Sequence, residues 1–224
     1  AYAKLSDKCR VAALADRNPD KLTGAKKAAG NIEGQAQGGF DFSSVADDKK
    51  YDDGMALIGD PDVDVIDICL ITPLHLEYAA AAIKAGKHVL VEKPLARTRG
   101  DAVKLVELDA GTDLIMMPAM CMRFWPEWVW LKNAVRQQAY GQVLGAQFRR
   151  VAEHPGGDFY SDGDKCGGAL LDLHIHDTDF IHYLFGTPNA VSSHGYTKAT
   201  GEPDHVVTQY QYDDIPLVVA EGGW

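Results

Sequence analysis

The stretch His88-Val-Leu-Val-Glu-Lys-Pro94 decides the fold. Its central run, Val89 to Val91, is β-branched and aliphatic, which predicts a buried strand of a parallel sheet. The run ends in an acid, a cation and a proline, so Lys93 is expected at the carboxyl end of that strand. Ligands bind at this edge of open α/β sheets, which makes Lys93 a candidate functional residue. The alternative is a lysine that leaves the strand for water and pairs with Glu92.

Strands and helices alternate on both sides of this stretch. Such an order predicts an α/β fold in which helices cross over between the strands of a parallel sheet. Strands are predicted at 11–15, 63–71, 88–91 and 114–120, and helices at 21–29, 51–59, 75–85 and 101–110.

The pattern changes near Arg123, and we place a domain boundary at residue 121. Two domains follow from it, 1–121 and 122–224. Apolar and polar residues alternate near the end of the chain, which is typical of antiparallel strands with one face in water. In the second domain we expect helices at 125–135 and 168–185, and strands at 141–151, 190–199 and 205–220.

Composition excludes several classes of protein. A net charge of -10 over 224 residues argues against a nucleic-acid partner held by its phosphates. No apolar run approaches the roughly 20 residues that span a bilayer, so we expect no membrane partner. The four cysteines form no C-x-x-C pair, which favours a reducing compartment and a cytoplasmic location. Cys69 and Cys121 lie in apolar runs and are predicted to be core thiols.

Asp16 and Arg17 are candidate cofactor residues. An acid at the end of the second strand of a dinucleotide fold binds the adenosine ribose hydroxyls, so Asp16 favours NAD. Arg17 beside it would favour the 2′-phosphate of NADP, and a turn or helix-cap role for Asp16 is the alternative. The chain contains no G-x-G-x-x-G. We therefore expect the first strand and its glycine-rich loop to be missing, which would leave an apolar gap in the sheet.

A second candidate cofactor contact follows the strand at 63–71. Thr72, Pro73 and His75 stand at its carboxyl end, where backbone and hydroxyl groups can reach a ribose. Threonine and proline also end a strand and begin a helix without any ligand. A lone histidine such as His75 is more often structural.

The segment from Gly167 to Asp179 contains the remaining candidate chemistry. As a strand it would place Asp172, His174 and His176 on one face and suggest a metal site. As a helix it would place Asp172 one turn before His176, with His174 pointing away. A carboxylate one turn before a histidine suits general base catalysis, because it orients the imidazole and stabilises its protonated form. Helical spacing of the apolar residues favours the helix: Leu170, Leu171, Ile175, Phe180, Ile181 and Leu184.

Three motifs together resemble the Gfo/Idh/MocA oxidoreductases: Gly86-Lys-His-Val-Leu-Val-Glu-Lys-Pro94, Arg123-Phe-Trp-Pro126 and Asp172-x-x-x-His176. The resemblance implies that 1–121 is a Rossmann domain and that 122–224 is an α+β domain for substrate binding. It implies that the second domain has an open, mostly antiparallel sheet through which the protein forms homo-oligomers. By the family's pattern both domains are expected to be truncated, at the amino end of the first and the carboxyl end of the second.

The resemblance also implies the roles of individual residues. Lys93 would contact the nicotinamide ribose and the substrate, with a cis bond to Pro94. Asp172 would bind substrate hydroxyls, His176 would be the acid/base, and Arg123 would lie near nicotinamide and substrate. The cofactor-binding residues are then Asp16, Arg17, Thr72, Pro73, His75, Glu92, Lys93 and Arg123.

The function predicted from these residues is NAD(P)-dependent oxidation of a secondary hydroxyl of a sugar or polyol, or the reverse reduction, with no metal. Lys93 would stabilise the oxyanion. One alternative is a non-catalytic relative that binds a dinucleotide for regulation. Another is a metal hydrolase built on His174, His176 and nearby aspartates, which requires a strand at 172–176.

Overall fold

The computed structural model describes residues 2–24 and 40–224. They form two compact units, which are described separately. Unit 1 contains residues 1–68, 76–90 and 104–117, and unit 2 contains residues 69–75, 91–103 and 118–224. Most of the predicted helix at 21–29 lies outside the described residues. Within 2–24 and 40–224 no helix is both long enough and apolar enough to cross a bilayer.

The first half of the chain has the predicted strand–helix alternation. The helices are α1 (Pro19–Leu22), α2 (Gly54–Ile58), α3 (His75–Lys84) and α4 (Arg99–Ala110). Strands β1 (Leu14–Ala15) and β2 (Lys50–Tyr51) form a short parallel pair, and β3 (Val65–Ile68), β4 (His88–Val91) and β5 (Met116–Pro118) form a sheet in that order.

The pairing of β4 with β5 is parallel. Val89 N–H donates to Ile115 O at 2.8 Å, and Ala119 N–H donates to Val91 O at 2.8 Å. Both partners therefore advance in the same direction along the chain, as a Rossmann-type sheet requires. The α/β prediction and the strand at 88–91 are confirmed.

The prediction that Cys69 and Cys121 are core thiols is wrong. Both are exposed, and Cys166 is the buried cysteine of the four. Strand β3 is shorter than predicted and buries only Ile66 and Ile68, so Cys69 follows the strand's end. A short apolar run does not show by itself which of its residues face the core.

Unit 2 contains one four-stranded sheet and the helices that pack on it. The strands are β6 (Gly145–Val151), β7 (Ala190–Tyr196), β8 (His205–Gln211) and β9 (Leu217–Gly223), and the α-helices that follow Pro118 are α5 (Pro126–Arg136), α6 (Gly157–Tyr160), α7 (Gly163–Cys166) and α8 (Ile175–Phe185). The strand order is β6-β9-β8-β7. Strands β7, β8 and β9 pair antiparallel and β6 pairs parallel to β9, so the mostly antiparallel sheet is confirmed.

The single strand predicted at 205–220 is wrong. It is two strands, β8 and β9, that reverse direction between residues 212 and 216. This connection contains Asp213, Asp214 and Pro216, which strongly favour turns over strands. The alternating pattern continued on both sides of the turn and concealed it.

The core of unit 2 fixes α8 against the sheet. Phe180 and Ile181 of α8 are fully buried with Phe148 of β6 and Val218 of β9. The Trp128 ring of α5 meets Phe180 edge to face, with 4.6 Å between centroids. Such aromatic pairs add roughly 0.5–1.5 kcal/mol beyond the area they bury. Helix α8 therefore has a fixed position on the sheet.

The segment at 168–185 is helical, so the strand that a metal hydrolase would need at 172–176 is ruled out. Its first part, Leu170–His174, is a π-helix that continues directly into α8. This wider turn was not predicted. π-Helices occur mostly as short insertions and often at functional sites.

His174 points into the sheet. The helical interpretation predicted only that it would not share a face with Asp172 and His176. His174 is 1% exposed, and its Nε2 lies 3.1 Å from Thr208 Oγ1 on β8. Its Nδ1 is buried, and no group among residues 2–24 and 40–224 bonds it. A Cβ added to Gly222 of β9 would lie 2.7 Å from Nδ1, so the glycine leaves the space that the imidazole fills.

We predict that Gly222→Ala destabilises the protein by roughly 1–3 kcal/mol, the usual cost of overpacking. His174→Ala should remove most of that penalty in the double variant, because the methyl group then meets no imidazole. Urea unfolding of the two single variants and the double variant measures this coupling. Additive losses would show that His174 does not occupy the space beside Gly222.

Candidate active site

Lys93 and Asp172 form the centre of the candidate site. Lys93 Nζ donates to Asp172 Oδ1 at 2.8 Å and to the backbone oxygen of Asp172 at 2.6 Å. Both side chains are 19% exposed. The bond between Lys93 and Pro94 is cis, as the resemblance implied. Residues 79 positions apart in the sequence thus share one partly exposed polar cluster.

His75 contacts the segment that carries Lys93, and Thr72 lies three residues before His75 in the chain. The His75 ring places Nδ1 2.8 Å from Pro94 O and Nε2 3.0 Å from Leu70 O. Thr72 and His75 are buried, whereas Pro73 and Glu92 are exposed. The imidazole of His75 therefore connects the segment after β3 to the segment after β4. Sequence reasoning gave His75 a cofactor contact, and in the structure its ring nitrogens meet backbone oxygens.

His176 lies at the start of α8, four residues after Asp172. Burial, then the positive charges of Lys93 and Arg150, lower the pKa of His176 from 6.5 to about 4. The carboxylates of Asp172 and Asp177 oppose this shift. His176 is therefore neutral at physiological pH and has an imidazole nitrogen able to accept a proton.

Arg150 and Asp177 were not selected from the sequence, yet they belong to this cluster. Arg150 Nε donates to Asp177 Oδ2 at 2.8 Å and Nη2 to Oδ1 at 3.0 Å, and the Asp177 side chain is 2% exposed. Strand alternation on β6 offers the one available signal, since it places Arg150 on the same face as Phe148. Asp177 belongs to none of the three motifs on which the sequence analysis relied.

Arg123 is held beside α8 rather than extended toward solvent. Its Nε donates to Asp179 Oδ2 at 2.8 Å, and its guanidinium lies 4.6 Å from the centroid of the Tyr183 ring. The hydrogen bonds to Asp179 raise the pKa of Arg123. Asp172, His176 and Asp179 thus extend along one helical segment, in which Asp172 pairs with Lys93 and Asp179 pairs with Arg123.

Asp16 and Arg17 belong to unit 1. The Asp16 carboxylate accepts from Asn18 N–H at 2.8 Å and pairs with Lys21 Nζ at 3.0 Å. Hydrogen bonding from these partners lowers the pKa of Asp16 although burial acts in the opposite direction. Arg17 is exposed. The contacts within unit 1 are those of a turn aspartate, and about a third of the Asp16 side chain remains accessible to a ligand.

Comparison with known proteins identifies the family. Residues 2–120 match a family model described as "Oxidoreductase family, NAD-binding Rossmann fold", and residues 128–224 match the GFO/IDH/MocA C-terminal domain. The chain belongs to the GFO/IDH/MocA oxidoreductases. The resemblance inferred from the three motifs is confirmed, together with the Rossmann fold and the family's nicotinamide cofactor.

Several relatives are named dehydrogenases. Myo-inositol 2-dehydrogenase of Thermotoga maritima is 32% identical over 82% of this chain and 49% of its own length. Levoglucosan dehydrogenase of Pseudarthrobacter phenanthrenivorans is 31% identical over 63% of this chain and 38% of its own. The chain spans about half the length of the curated relatives it matches.

Solved structures agree with this assignment. A probable dehydrogenase from Thermotoga maritima aligns with a TM-score of 0.77 at 27% identity, covering 98% of this chain and 63% of that one. A levoglucosan dehydrogenase in complex with NADH and levoglucosan aligns with a TM-score of 0.70 at 26% identity, covering 77% and 51%.

We predict that Lys93→Met raises the pKa of His176 by roughly one unit, the effect of removing a nearby like charge. The reason is that Lys93 is one of the two cations that hold this pKa down. NMR titration of the His176 ring measures it. Lys84→Met, at the exposed end of α3, is the matched control and should leave the pKa unchanged. A His176 pKa that stays near 4 in Lys93→Met would contradict the prediction.

A second prediction concerns acid stability. An unfolded histidine binds a proton below about pH 6.5, whereas folded His176 binds it only below about 4. The stability that depends on neutral His176 should therefore be fully present above pH 6.5. The free energy of unfolding should fall by about 3 kcal/mol as the pH drops from 6.5 to 4. His176→Asn should lose less stability across this window, measured by urea unfolding at successive pH values. The exposed His194→Asn is the control, and equal slopes in the two variants would refute the prediction.

Proposed function

We propose that the whole protein is a nicotinamide-dependent dehydrogenase that oxidises a secondary hydroxyl of a sugar, a polyol or a related compound, or performs the reverse reduction. The observation that supports this most directly is the cluster of Lys93, Asp172 and neutral His176. In this cluster Lys93 is a cation, Asp172 is a carboxylate that orients Lys93, and His176 is a base. The names of the relatives point to the same class of substrate.

The residues present fit a nicotinamide nucleotide and its substrate. An ammonium group has three N–H donors, and Asp172 accepts two of those on Lys93. The third has no acceptor within residues 2–24 and 40–224, so it is available to a ligand hydroxyl or carbonyl oxygen. Lys93, Glu92, Thr72, Pro73 and Arg123 are the proposed contacts of the nicotinamide half, with Asp16 and Arg17 those of the adenosine ribose.

Bound NAD would supply the acceptor for a hydride. The described side chains perform the rest of the reaction. His176 accepts the proton of the substrate hydroxyl, and reprotonates the oxygen in the reverse direction. Lys93 donates a hydrogen bond to the same oxygen and stabilises its developing negative charge. Asp172 keeps Lys93 in place and accepts from the substrate's hydroxyl groups.

Other parts of the proposal concern the assembly and its location. We place the Rossmann domain at 1–121 and the substrate domain at 122–224, and NAD ahead of NADP because of Asp16. The face of the unit 2 sheet opposite to its helices exposes apolar side chains, among them Tyr196, Val207 and Leu217, which supports homo-oligomerisation through this face. A cytoplasmic location remains our proposal from the cysteine spacing.

The reaction itself can be tested with the whole protein and a panel of sugars and polyols, following NADH formation. Lys93→Met and His176→Asn should each lower kcat by about 10²–10⁴-fold, the usual contribution of a positioned acid/base or oxyanion-binding group. Lys84→Met and His194→Asn are the matched controls and should keep the parent rate.

The outcomes separate the candidate functions. A Lys93→Met protein that reduces NAD at the parent rate would refute the catalytic role of Lys93. A parent protein that binds NADH and turns over no substrate of the panel would favour the regulatory, non-catalytic alternative.

A further inference from the structure

Arg97 connects the segment of Lys93 to two distant parts of unit 2. Its Nε donates to Asp164 O at 3.1 Å, and its Nη2 donates to Gly163 O at 3.0 Å and to Glu202 Oε1 at 2.6 Å. We call this set of contacts the Arg97 clamp. Arg97 lies four residues after Lys93, and Pro94 and Ala96 between them are buried. The clamp therefore restrains the carboxyl end of the segment that presents Lys93.

The clamp also restrains the segment that presents Asp172. Gly163 begins α7, which ends at Cys166. Gly167 and Gly168 follow with φ angles of +79° and +65°, and the π-helix with Asp172 comes after them. A Cβ added to Gly163 would lie 2.6 Å from Glu202 Cγ, and one added to Gly168 would lie 3.0 Å from Glu202 Cβ. The stem of Glu202 thus packs directly on this approach to Asp172.

Glu202 itself stands on a rigid loop. The buried carboxylate of Asp204 accepts from Ala199 N–H at 2.6 Å and from Thr200 Oγ1 at 2.7 Å. These hydrogen bonds lower the pKa of Asp204 although burial acts in the opposite direction. The loop between β7 and β8 is therefore organised by its own contacts, and Glu202 offers Arg97 a fixed partner.

We propose that Arg97 is a positioning residue that keeps Lys93 within hydrogen-bonding distance of Asp172. A partly exposed lysine–carboxylate pair is weak alone, because two flexible side chains must be held in one geometry. A guanidinium forks to several fixed acceptors and loses less freedom for each bond formed. Anchoring both segments through Arg97 supplies the rigidity that the pair lacks. The consequence for catalysis rests on the role proposed for Lys93. The restraint of Lys93 by Arg97 does not depend on that role.

Competitive acetylation with acetic anhydride tests the restraint without any substrate. Peptide mass spectrometry follows the Lys93 amine, and the exposed Lys84 amine serves as the internal standard. In Arg97→Ala, Lys93 should react faster by about 5–30-fold, the factor that corresponds to about 1–2 kcal/mol of lost restraint. Glu202→Gln should shift the rate in the same direction by less, and Arg97→Lys should restore part of the protection.

Arg149→Ala is the matched control. Arg149 of β6 forms a single 2.9 Å ion pair with Glu221 and is 62% exposed, so its loss should leave the Lys93 rate unchanged. A thermal melt of each variant separates loss of fold from loss of positioning. Unchanged Lys93 reactivity in both Arg97→Ala and Glu202→Gln would overturn the proposal, as would an equal rise in Arg149→Ala. Faster Lys93 labelling in Arg97→Ala, together with a parent protein that oxidises no polyol, would retain the clamp and reject only the dehydrogenase.

Discussion

The contact between Lys93 and Asp172 is the interaction on which the candidate site depends. It joins the end of a parallel strand to a helical segment 79 residues later, through two hydrogen bonds of 2.6 and 2.8 Å. The segment after β4 and the π-helix must both be fixed for this to occur. His75 holds the first through Pro94 O, and the core packing of α8 holds the second. The position of Lys93 and Asp172 in the site therefore depends on contacts made by residues outside it.

Charge balance around His176 follows from the same arrangement. Two cations, Lys93 and Arg150, and two carboxylates, Asp172 and Asp177, act on one partly buried imidazole. Burial disfavours its charged form, and the cations outweigh the carboxylates. The result is a histidine that stays neutral well below physiological pH, which is the form a general base needs before it accepts a proton. Arg150 contributes although it belongs to no recognised motif.

Helix and sheet fit each other through small residues. Gly222 leaves room for the His174 imidazole, and Gly163 and Gly168 leave room for Glu202. Replacing any of them by alanine would force neighbouring atoms apart, because packed interiors have few voids that could absorb a methyl group. The π-helix between Gly168 and α8 adds a wider turn next to these glycines, and Asp172 lies within it.

The sequence by itself determined the α/β class, the strand at 88–91, and the helix that carries Asp172 and His176. Each of these rests on local periodicity or on residues close in the chain, such as Glu92-Lys-Pro94. Sequence reasoning missed the turn at 212–216 because the alternating pattern continues on both sides of it. It missed the exposure of Cys69 and Cys121 because a short apolar run does not show which of its residues face the core. It missed the π-helix because the spacing of the apolar residues does not distinguish one wider turn from an α-helix. Only the tertiary structure paired Lys93 with Asp172, Arg150 with Asp177 and Arg97 with Glu202. Partners so far apart in the chain meet because the fold brings them together, and no linear spacing records that proximity.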